Sequence, residues 1–419
     1  MRFLAMHSAA TVCYLALVLP WGGSVTAAPA PAFSELLQQA DKTAPRLIES
    51  AALLDAATAR VRQAAAWPNP EFGVEVENFG GTGPYRGSSQ AQTTFSLSEP
   101  LELGGQRGAR LRATRADLVA SQARAMQLRA DFAYELALAY ANGEAMQKRA
   151  ALLTNDLSRS EEDVRRTRAL VSAGREGELR ALQAETAAAG ARADLESARS
   201  DVAESFARLS SLVGTPNTYD GVASSLLARA NGVLSAPALS PQRAPAIAAA
   251  EADSLAAAGR LQVERKRRLP TVALSVGARR FAGEQATAMV GGVSVALPLF
   301  DWNRGGIAAA RAEQAAADAR LAGVRLDASA NWNAATARVV AANARLQAAS
   351  QGEAAARDAY SLTRIGYEAG RASLLELLST RRALTDAELR ALDARVAWIS
   401  IQATIARLQG QMPFGEASE

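Results

Sequence analysis

The sequence predicts a mainly α-helical protein made of two copies of one unit, in which two short β-strands lead into two long helices. Two observations predict this fold class. Residues 96–110 (SLSEPLELGGQRGAR) and residues 294–308 (SVALPLFDWNRGGIA) carry the same junction, in which alternating apolar residues run into Pro-Leu and then through Gly and Arg into an Ala-rich stretch. Each junction is followed by a long proline-free stretch with apolar or small residues at seven-residue spacing, as in coiled coils.

The N-terminus is predicted to be a secretory signal peptide over residues 1–27. Arg2 provides a positive charge, TVCYLALVLPWG is an apolar stretch too short to span a bilayer, and SVTAAPA offers small residues for cleavage after Ala27. Cys13 lies early in the apolar stretch, which argues against lipid attachment there. A buried N-terminal helix is the alternative interpretation.

The composition excludes several kinds of site from the mature chain. His7 and Cys13 are the only His and Cys, and both lie in the predicted signal peptide. Zinc or copper sites built on imidazole or thiolate, and Ser-His-Asp or Cys-His catalysis, are therefore excluded. Because the sequence also has no glycine-rich phosphate loop, we predict no enzymatic activity, no cofactor and no resident metal. Arg alternates with Asp and Glu along nearly every segment, as on solvated helices, so we predict no nucleic-acid binding.

The first copy is predicted to span residues 28–214. Phe72, Val74 and Val76 alternate with Glu and Gly, which indicates a strand, and the loop GGTGPYRGSS separates it from a second alternating run. The long helix that follows is expected to end at an Ala-Gly-Arg turn, where glycine can adopt a left-handed cap. The predicted elements are strands at about 70–79 and 91–99, a long helix at about 106–171 and a return helix at about 177–212.

The second copy is predicted to span residues 244–411, after a linker of residues 215–243 that is rich in Gly, Pro and Ser. Pro270 corresponds to Pro70 and Gly370 corresponds to Gly174, so the offset between the copies drifts only from 200 to 196 residues. The predicted elements are strands at about 271–281 and 288–297, a long helix at about 304–368, a return helix at about 373–409 and a C-terminal tail over residues 412–419.

The predicted strands have the length of tilted strands that cross a membrane, roughly 9–11 residues. Four strands cannot close a barrel, and open sheet edges are not tolerated in lipid. If the strands enter a membrane, several chains must therefore pool them into one barrel, with small polar-face residues lining the pore and Phe and Val facing lipid. A pair of ordinary half-buried hairpins is the alternative.

Taken together, these features resemble those of the TolC family of bacterial outer-membrane efflux proteins over residues 33–412. The resemblance rests on the duplicated strands and helices, the junctions SLSEPLELGG and ALPLFDWNRG, and the turn YEAGRASLLELL. The stretches NPEFGVEVENFGG and EPLELGGQR are most similar to the heavy-metal branch of the family, which partners cobalt-zinc-cadmium type pumps. The resemblance implies a homotrimer in outer-membrane lipid, whose three sets of four strands form a 12-stranded β-barrel continued by a periplasmic α-helical barrel.

The same resemblance implies a passive exit duct for heavy-metal cations. Its partners would be a periplasmic adaptor (membrane fusion) protein and an inner-membrane pump of the resistance-nodulation-division type, and the linker 215–243 would form an equatorial belt around the helices. Multidrug efflux and type I protein secretion are alternatives within the channel class. A periplasmic coiled-coil adaptor is an alternative of a different class.

Three groups of residues are expected to serve this architecture. The strand-to-helix elbows are expected at Pro100, Gly104, Gly105, Pro298 and Gly305, where proline removes a ladder donor and glycine permits the bend. The tip turns for adaptor docking are expected at Gly174, Arg175, Gly370 and Arg371. Candidate pore-lining residues are Glu71, Glu75 and Glu77 with Arg279 near them, where the carboxylates would favour cations or simply form a wet pore wall.

The gate is expected just beyond the second tip turn, where the resemblance implies a ring of acidic residues at the closed end. Glu376, six residues after Gly370, matches that pattern, whereas Ser379 stands where an acid is common. The equivalent of Glu376 in the first copy is Arg180, so we expect the two to pair across a helix interface and hold the end shut. A solvated glutamate on a charged helix is the alternative.

Overall fold

The computed structural model describes residues 28–235 and 241–414, so the predicted signal peptide and residues 415–419 of the tail lie outside the described residues. In chain order the elements are helices α1 (Phe33–Thr43) and α2 (Pro45–Ala65), strands β1 (Glu71–Glu77) and β2 (Gln92–Leu101), helices α3 (Gln106–Ser172), α4 (Glu178–Val213) and α5 (Pro245–Arg267), strands β3 (Thr271–Phe281) and β4 (Ala286–Ala296), and helices α6 (Arg304–Glu368) and α7 (Leu374–Gln409).

The two-fold repeat is present in the structure: α2–β1–β2–α3–α4 is followed by α5–β3–β4–α6–α7. The helix that precedes the strands in each copy, α2 or α5, is absent from the sequence prediction. Their buried residues are mostly alanine, so neither helix shows the wide stripe of large apolar residues that marks a surface helix in a sequence.

The four strands form one antiparallel sheet in the order β1-β2-β3-β4, so β2 and β3 join the two copies. The strand expected to end at residue 99 continues to Leu101, and Pro100 lies inside it, opposite Ala273. The interpretation of Pro100 as the residue that ends this strand is therefore wrong. Proline is tolerated there because β1 begins opposite Ser98, which leaves one side of β2 without a ladder partner beyond that residue.

The helices follow the same lateral order as the strands. Near the sheet α2 packs on α3, α3 on α5 and α5 on α6, while towards the tips α3 pairs with α4, α6 pairs with α7, and α3 also contacts α7. Among the described residues, no helix combines the length and apolarity required to cross a bilayer. The chain therefore has β1 and α2 along one edge and β4 and α6 along the other.

The large buried side chains gather halfway along the long helices, where α1 and the linker pack. Phe33 of α1 makes edge contacts with the rings of Tyr140 and Phe414, at centroid distances of 6.1 and 5.8 Å. The buried Glu144 accepts hydrogen bonds from the backbone N–H groups of Leu226 (2.8 Å) and Leu227 (3.0 Å). This carboxylate therefore fixes the linker to the middle of α3.

Candidate pore face, helix elbows and closed end

The sheet has one polar and one apolar face, as the alternation predicts. The apolar face is uncovered within the described chain: Phe72 is 69% exposed and Met289 is 76% exposed. An apolar surface of this extent in a folded chain marks a contact with lipid or with another protein. Its other exposed members are Val74, Val76, Phe95, Leu97, Leu274, Val276, Val293 and Val295.

The polar face carries the predicted pore-lining residues, and the structure brings Arg279 to one of the three glutamates. Arg279 lies with Nη2 3.2 Å from Glu77 Oε2, and its Nε donates to Thr94 Oγ1 at 2.9 Å. Glu71 and Glu75 alternate with apolar residues on the same strand and form no ion pair with any residue that the structure describes. This face therefore has two free carboxylates per chain.

The first elbow uses glycine in two different ways. Gly105 is the residue before α3 and adopts a left-handed conformation, φ 74°. A Cβ on Gly104 would lie 2.9 Å from the Leu269 side chain, so this glycine permits a close approach. The carboxylate of Glu102 accepts two hydrogen bonds from Arg110, of 2.7 and 3.1 Å, and this interaction raises the pKa of the Arg110 guanidinium.

The second elbow departs from the prediction at Gly305. Pro298 follows β4, but Gly305 is the second residue of α6 and has no positive φ. Asn303 takes the left-handed position instead, φ 51°, and its amide nitrogen donates to Glu264 O and Oε2 at 2.9 and 2.8 Å. Asparagine adopts this conformation more readily than most residues, so the two copies make one bend with different residues.

Both tip turns have the same backbone structure. Gly174 and Gly370 are left-handed, with φ values of 68° and 71°. The N–H of Arg175 donates to Leu170 O (2.9 Å), and the N–H of Arg371 donates to Gly366 O (2.8 Å), which is the six-to-one bond of a Schellman cap. The tips are therefore built alike, 196 residues apart.

The proposed gate residues have different partners within the chain. The Glu376 carboxylate accepts from the Ser373 N–H at 2.7 Å, and the Glu376 N–H donates to Ser373 Oγ at 3.2 Å, which forms a capping box at the start of α7. Arg180 lies with Nε 3.9 Å from Oε2 of Glu176, which lies in the tip turn just before α4. The expected Glu376–Arg180 pair is thus not formed within the chain, because each side chain is engaged at the start of its own return helix.

A buried ion cluster between α3 and α7 is absent from the sequence prediction. Arg381 Nη1 lies 2.7 Å from Asp163 Oδ2, and its Nε lies 3.5 Å from Asp156 Oδ1, which also accepts from Thr385 Oγ1 at 2.9 Å. Burial raises the pKa of the Asp163 carboxyl, and the positive charge of Arg381 opposes that shift. The available signal was that Asp156 and Asp163 are seven residues apart, at one position of the helical repeat.

This cluster occurs once per chain although the fold is duplicated. At the offset of 196 residues, Asp163 corresponds to Ala359 and Arg381 corresponds to Glu185. The ion pair therefore belongs to the contact between the two copies and has no counterpart in the other hairpin. No group of three or more His, Cys, Asp or Glu side chains that could hold a metal ion is found within residues 28–235 and 241–414.

Comparisons with known proteins agree on one family. The family model described as "Outer membrane efflux protein" matches residues 36–215 and 237–411. The chain is 43% identical over 408 residues to the nickel-cobalt-cadmium resistance protein NccC of Alcaligenes xylosoxydans xylosoxydans, covering 96% of this chain and 92% of that protein. It is 43% identical over 316 residues to the nickel and cobalt resistance protein CnrC of Cupriavidus metallidurans, 75% of each chain.

A solved structure shows the same fold. The outer membrane protein VceC of Vibrio cholerae superposes with a TM-score of 0.73 at 20% sequence identity, covering 91% of this chain and 96% of that one. At this identity the similarity carries information on the fold alone. The mainly α architecture with a small sheet and a two-fold repeat is confirmed by it.

Proposed function

The chain belongs to the outer membrane efflux protein family, and from this premise we propose that it is the exit duct through which divalent heavy-metal cations leave the cell. The observation that carries the choice of cargo is the 43% identity, over nearly the whole chain, to a nickel-cobalt-cadmium resistance protein. The duct would complete a tripartite system with a periplasmic adaptor and an inner-membrane pump of the resistance-nodulation-division type. It would act passively, with no catalytic step.

Deletion of the gene in its host tests the cargo. We expect the deletion to lower the concentrations of nickel, cobalt and cadmium that stop growth, and expression of the intact chain to restore them. Hydrophobic drugs and secretion of a large protein serve as controls for the other two uses of a channel. A strain that becomes drug-sensitive or secretion-deficient with unchanged metal tolerance would contradict the metal assignment.

The open edges of the chain support a closed ring of chains. β1 and β4 are edge strands of the four-stranded sheet, and unpaired backbone groups are not tolerated in lipid. If β4 of one chain pairs with β1 of the next, α6 meets α2 at the same seam, because each lies on the corresponding edge. Three chains would give a barrel of 12 strands, a size at which the interior holds a channel.

The unpaired carboxylates on the polar face support conduction of cations. Repeated in three chains, Glu71 and Glu75 would form two rings of negative charge in the barrel, which raise the local concentration of cations. We expect Glu71→Gln combined with Glu75→Gln to lower the permeability ratio of cations to anions in planar bilayers. Glu99→Gln, on the opposite face of β2, is the matched control, and an unchanged ratio in the double variant would reject the role of the rings.

The two tips support docking of the adaptor at the end farthest from the sheet. Their shared backbone structure presents Arg175 and Arg371 next to the left-handed glycines, so three chains would offer six similar contacts. We expect Arg175→Glu and Arg371→Glu to reduce capture of the cognate adaptor by the purified channel. Arg382→Glu, on the exposed surface of α7 away from the turn, is the control. Equal capture by all variants would contradict docking at the tips.

Passage of metal without retention is expected from the ligand set. The mature sequence offers no His or Cys, and isolated carboxylates hold ions such as nickel and zinc weakly. We expect titration calorimetry of the mature protein with zinc and copper to show no stoichiometric binding. A site of micromolar or tighter affinity with a whole number of ions per chain would contradict the passive duct.

A further inference from the structure

A single cation lies on the apolar face of the sheet at the end away from the helices. Arg280 is the last residue but one of β3 and lies between Arg279 and Phe281 in the strand. The alternation of the strand places it on the face of Val276 and Leu274, opposite to the face of Arg279. Arg280 is exposed and forms no ion pair with any residue in the described part of the chain.

The residues paired with Arg280 on the two neighbouring strands are polar, whereas the next rows of paired residues towards the helices are apolar. Arg280 pairs with Thr93 on β2 and with Thr287 on β4, and Thr93 in turn pairs with Val76. Side chains that are directly opposite on neighbouring strands have Cβ atoms about 5 Å apart, so one guanidinium and two hydroxyls lie within reach of one small anion. The next two rows towards the helices contain apolar or glycine residues only: Val74, Phe95, Ala278 and Met289, then Phe72, Leu97, Val276 and Gly291.

The other charge on this face has the opposite sign and lies at the other end. Glu99 pairs with Leu274, six residues along β3 from Arg280. Trp67, Phe300 and Trp302 are exposed close to that end, where the strands pass into the helices, as aromatic residues are at membrane interfaces. The row of Arg280 therefore marks the opposite border of the apolar band, on the outer side of the membrane.

We infer that Arg280, with Thr93 and Thr287, binds the phosphate of an anionic lipid in the outer leaflet. Arginine can donate two parallel hydrogen bonds to a phosphate, and the hydroxyls supply further donors. A lipid is favoured over a free anion because acyl chains can lie along the apolar rows that continue directly from the site. A second copy of the chain does not cover Arg280, because β2 and β4 flank β3 and ring closure occurs at the outer edges of β1 and β4.

Lipid retention by the purified channel tests this site. The mature protein, in a neutral maltoside detergent, is incubated with phosphatidic acid as the probe, and native mass spectrometry counts the lipids retained per chain. One arginine near a lipid surface contributes about 1 kcal/mol, so we expect about fivefold weaker retention by Arg280→Gln and partial retention by Arg280→Lys. Arg115→Gln, which removes an exposed arginine from α3, is the matched control and should behave as the unmodified protein.

Two outcomes would overturn the inference. One is equal retention of phosphatidic acid by Arg280→Gln and by the unmodified protein. The other is full displacement of the lipid by an equal concentration of inorganic phosphate, which would show an anion site without a lipid requirement. The inference rests on the membrane placement of the sheet in the proposed function and not on the metal cargo. Lipid counting and metal tolerance are separate measurements, so failure of one is distinguishable from failure of the other.

Discussion

Replacement of Arg381 by methionine should weaken the helical part of the channel by a predictable amount. The side chain is 6% exposed and bridges Asp163 and Asp156 between α3 and α7. Methionine keeps much of the apolar length of the side chain and removes the charge. The two carboxylates of α3 then remain in the interface between the two copies with no cation beside them.

The expected cost follows from the burial of the partners. Removal of one member of a buried ion pair costs about 3–5 kcal/mol, because the remaining charge is left uncompensated. We expect the lower end of that range, about 3 kcal/mol, for two reasons. Asp156 keeps its hydrogen bond from Thr385, and Asp163, whose pKa burial already raises, can take up a proton once Arg381 no longer opposes that shift.

The assay is urea unfolding in detergent, followed by the helical circular dichroism signal. Arg381→Met should lower the urea midpoint with little change in slope. Arg382→Met is the matched control, because Arg382 is the adjacent residue, is exposed and has no ion pair among the described residues. A triple variant that adds Asp163→Asn and Asp156→Asn should recover much of the loss, since it leaves no buried charge.

The result that refutes this reasoning is an equal midpoint for Arg381→Met and Arg382→Met. It would mean that water or motion screens the cluster and that the short distances contribute little. A triple variant that is less stable than Arg381→Met would also contradict the uncompensated charge as the cause.

Three further predictions concern single positions. If the Glu376 carboxylate constricts the closed end, Glu376→Ala should raise channel conductance and reduce exclusion of vancomycin. Ser373→Ala is the control, because it removes the helix cap, at a cost of about 1 kcal/mol, and keeps the carboxylate. Equal conductance of both variants and the unmodified channel would reject the role of Glu376 in the gate. Gly214→Ala should lower the free energy of unfolding in urea by more than about 1 kcal/mol, because φ is 79° and a Cβ would lie 2.2 Å from a carbonyl oxygen of α1. Gly190→Ala, in open space on α4, is the control and should be neutral or stabilising. A loss below about 1 kcal/mol for Gly214→Ala would contradict the close approach. Folding raises the pKa of the Asp163 carboxyl, so its contribution to stability is complete below its ordinary pKa and is lost as pH rises through the raised pKa. The unmodified protein should therefore lose stability relative to Asp163→Asn over that pH range. A stability difference between the two proteins that does not change with pH would contradict this prediction.

The sequence by itself determined the features that depend on local pattern. Seven-residue spacing and the absence of proline identify the two long helices, and period-two alternation identifies strands with one apolar face, because each pattern places the apolar side chains on one side of the element. Gly174 and Gly370 indicate the two tip turns, since few other residues adopt the left-handed conformation that ends a helix in this way. The family resemblance and the outer-membrane location are confirmed by the comparisons with known proteins.

Tertiary structure decided what depends on residues far apart in the chain. The helices α2 and α5 are stabilised by packing on α3, and their alanine-rich sequences carry little pattern of their own. The acceptance of Pro100 inside a strand depends on where β1 begins, and the charge of Arg381 is stabilised by carboxylates more than 200 residues away in the other copy. The free energy of such contacts depends on burial and on partners that the fold brings together, and neither quantity is a property of the local sequence.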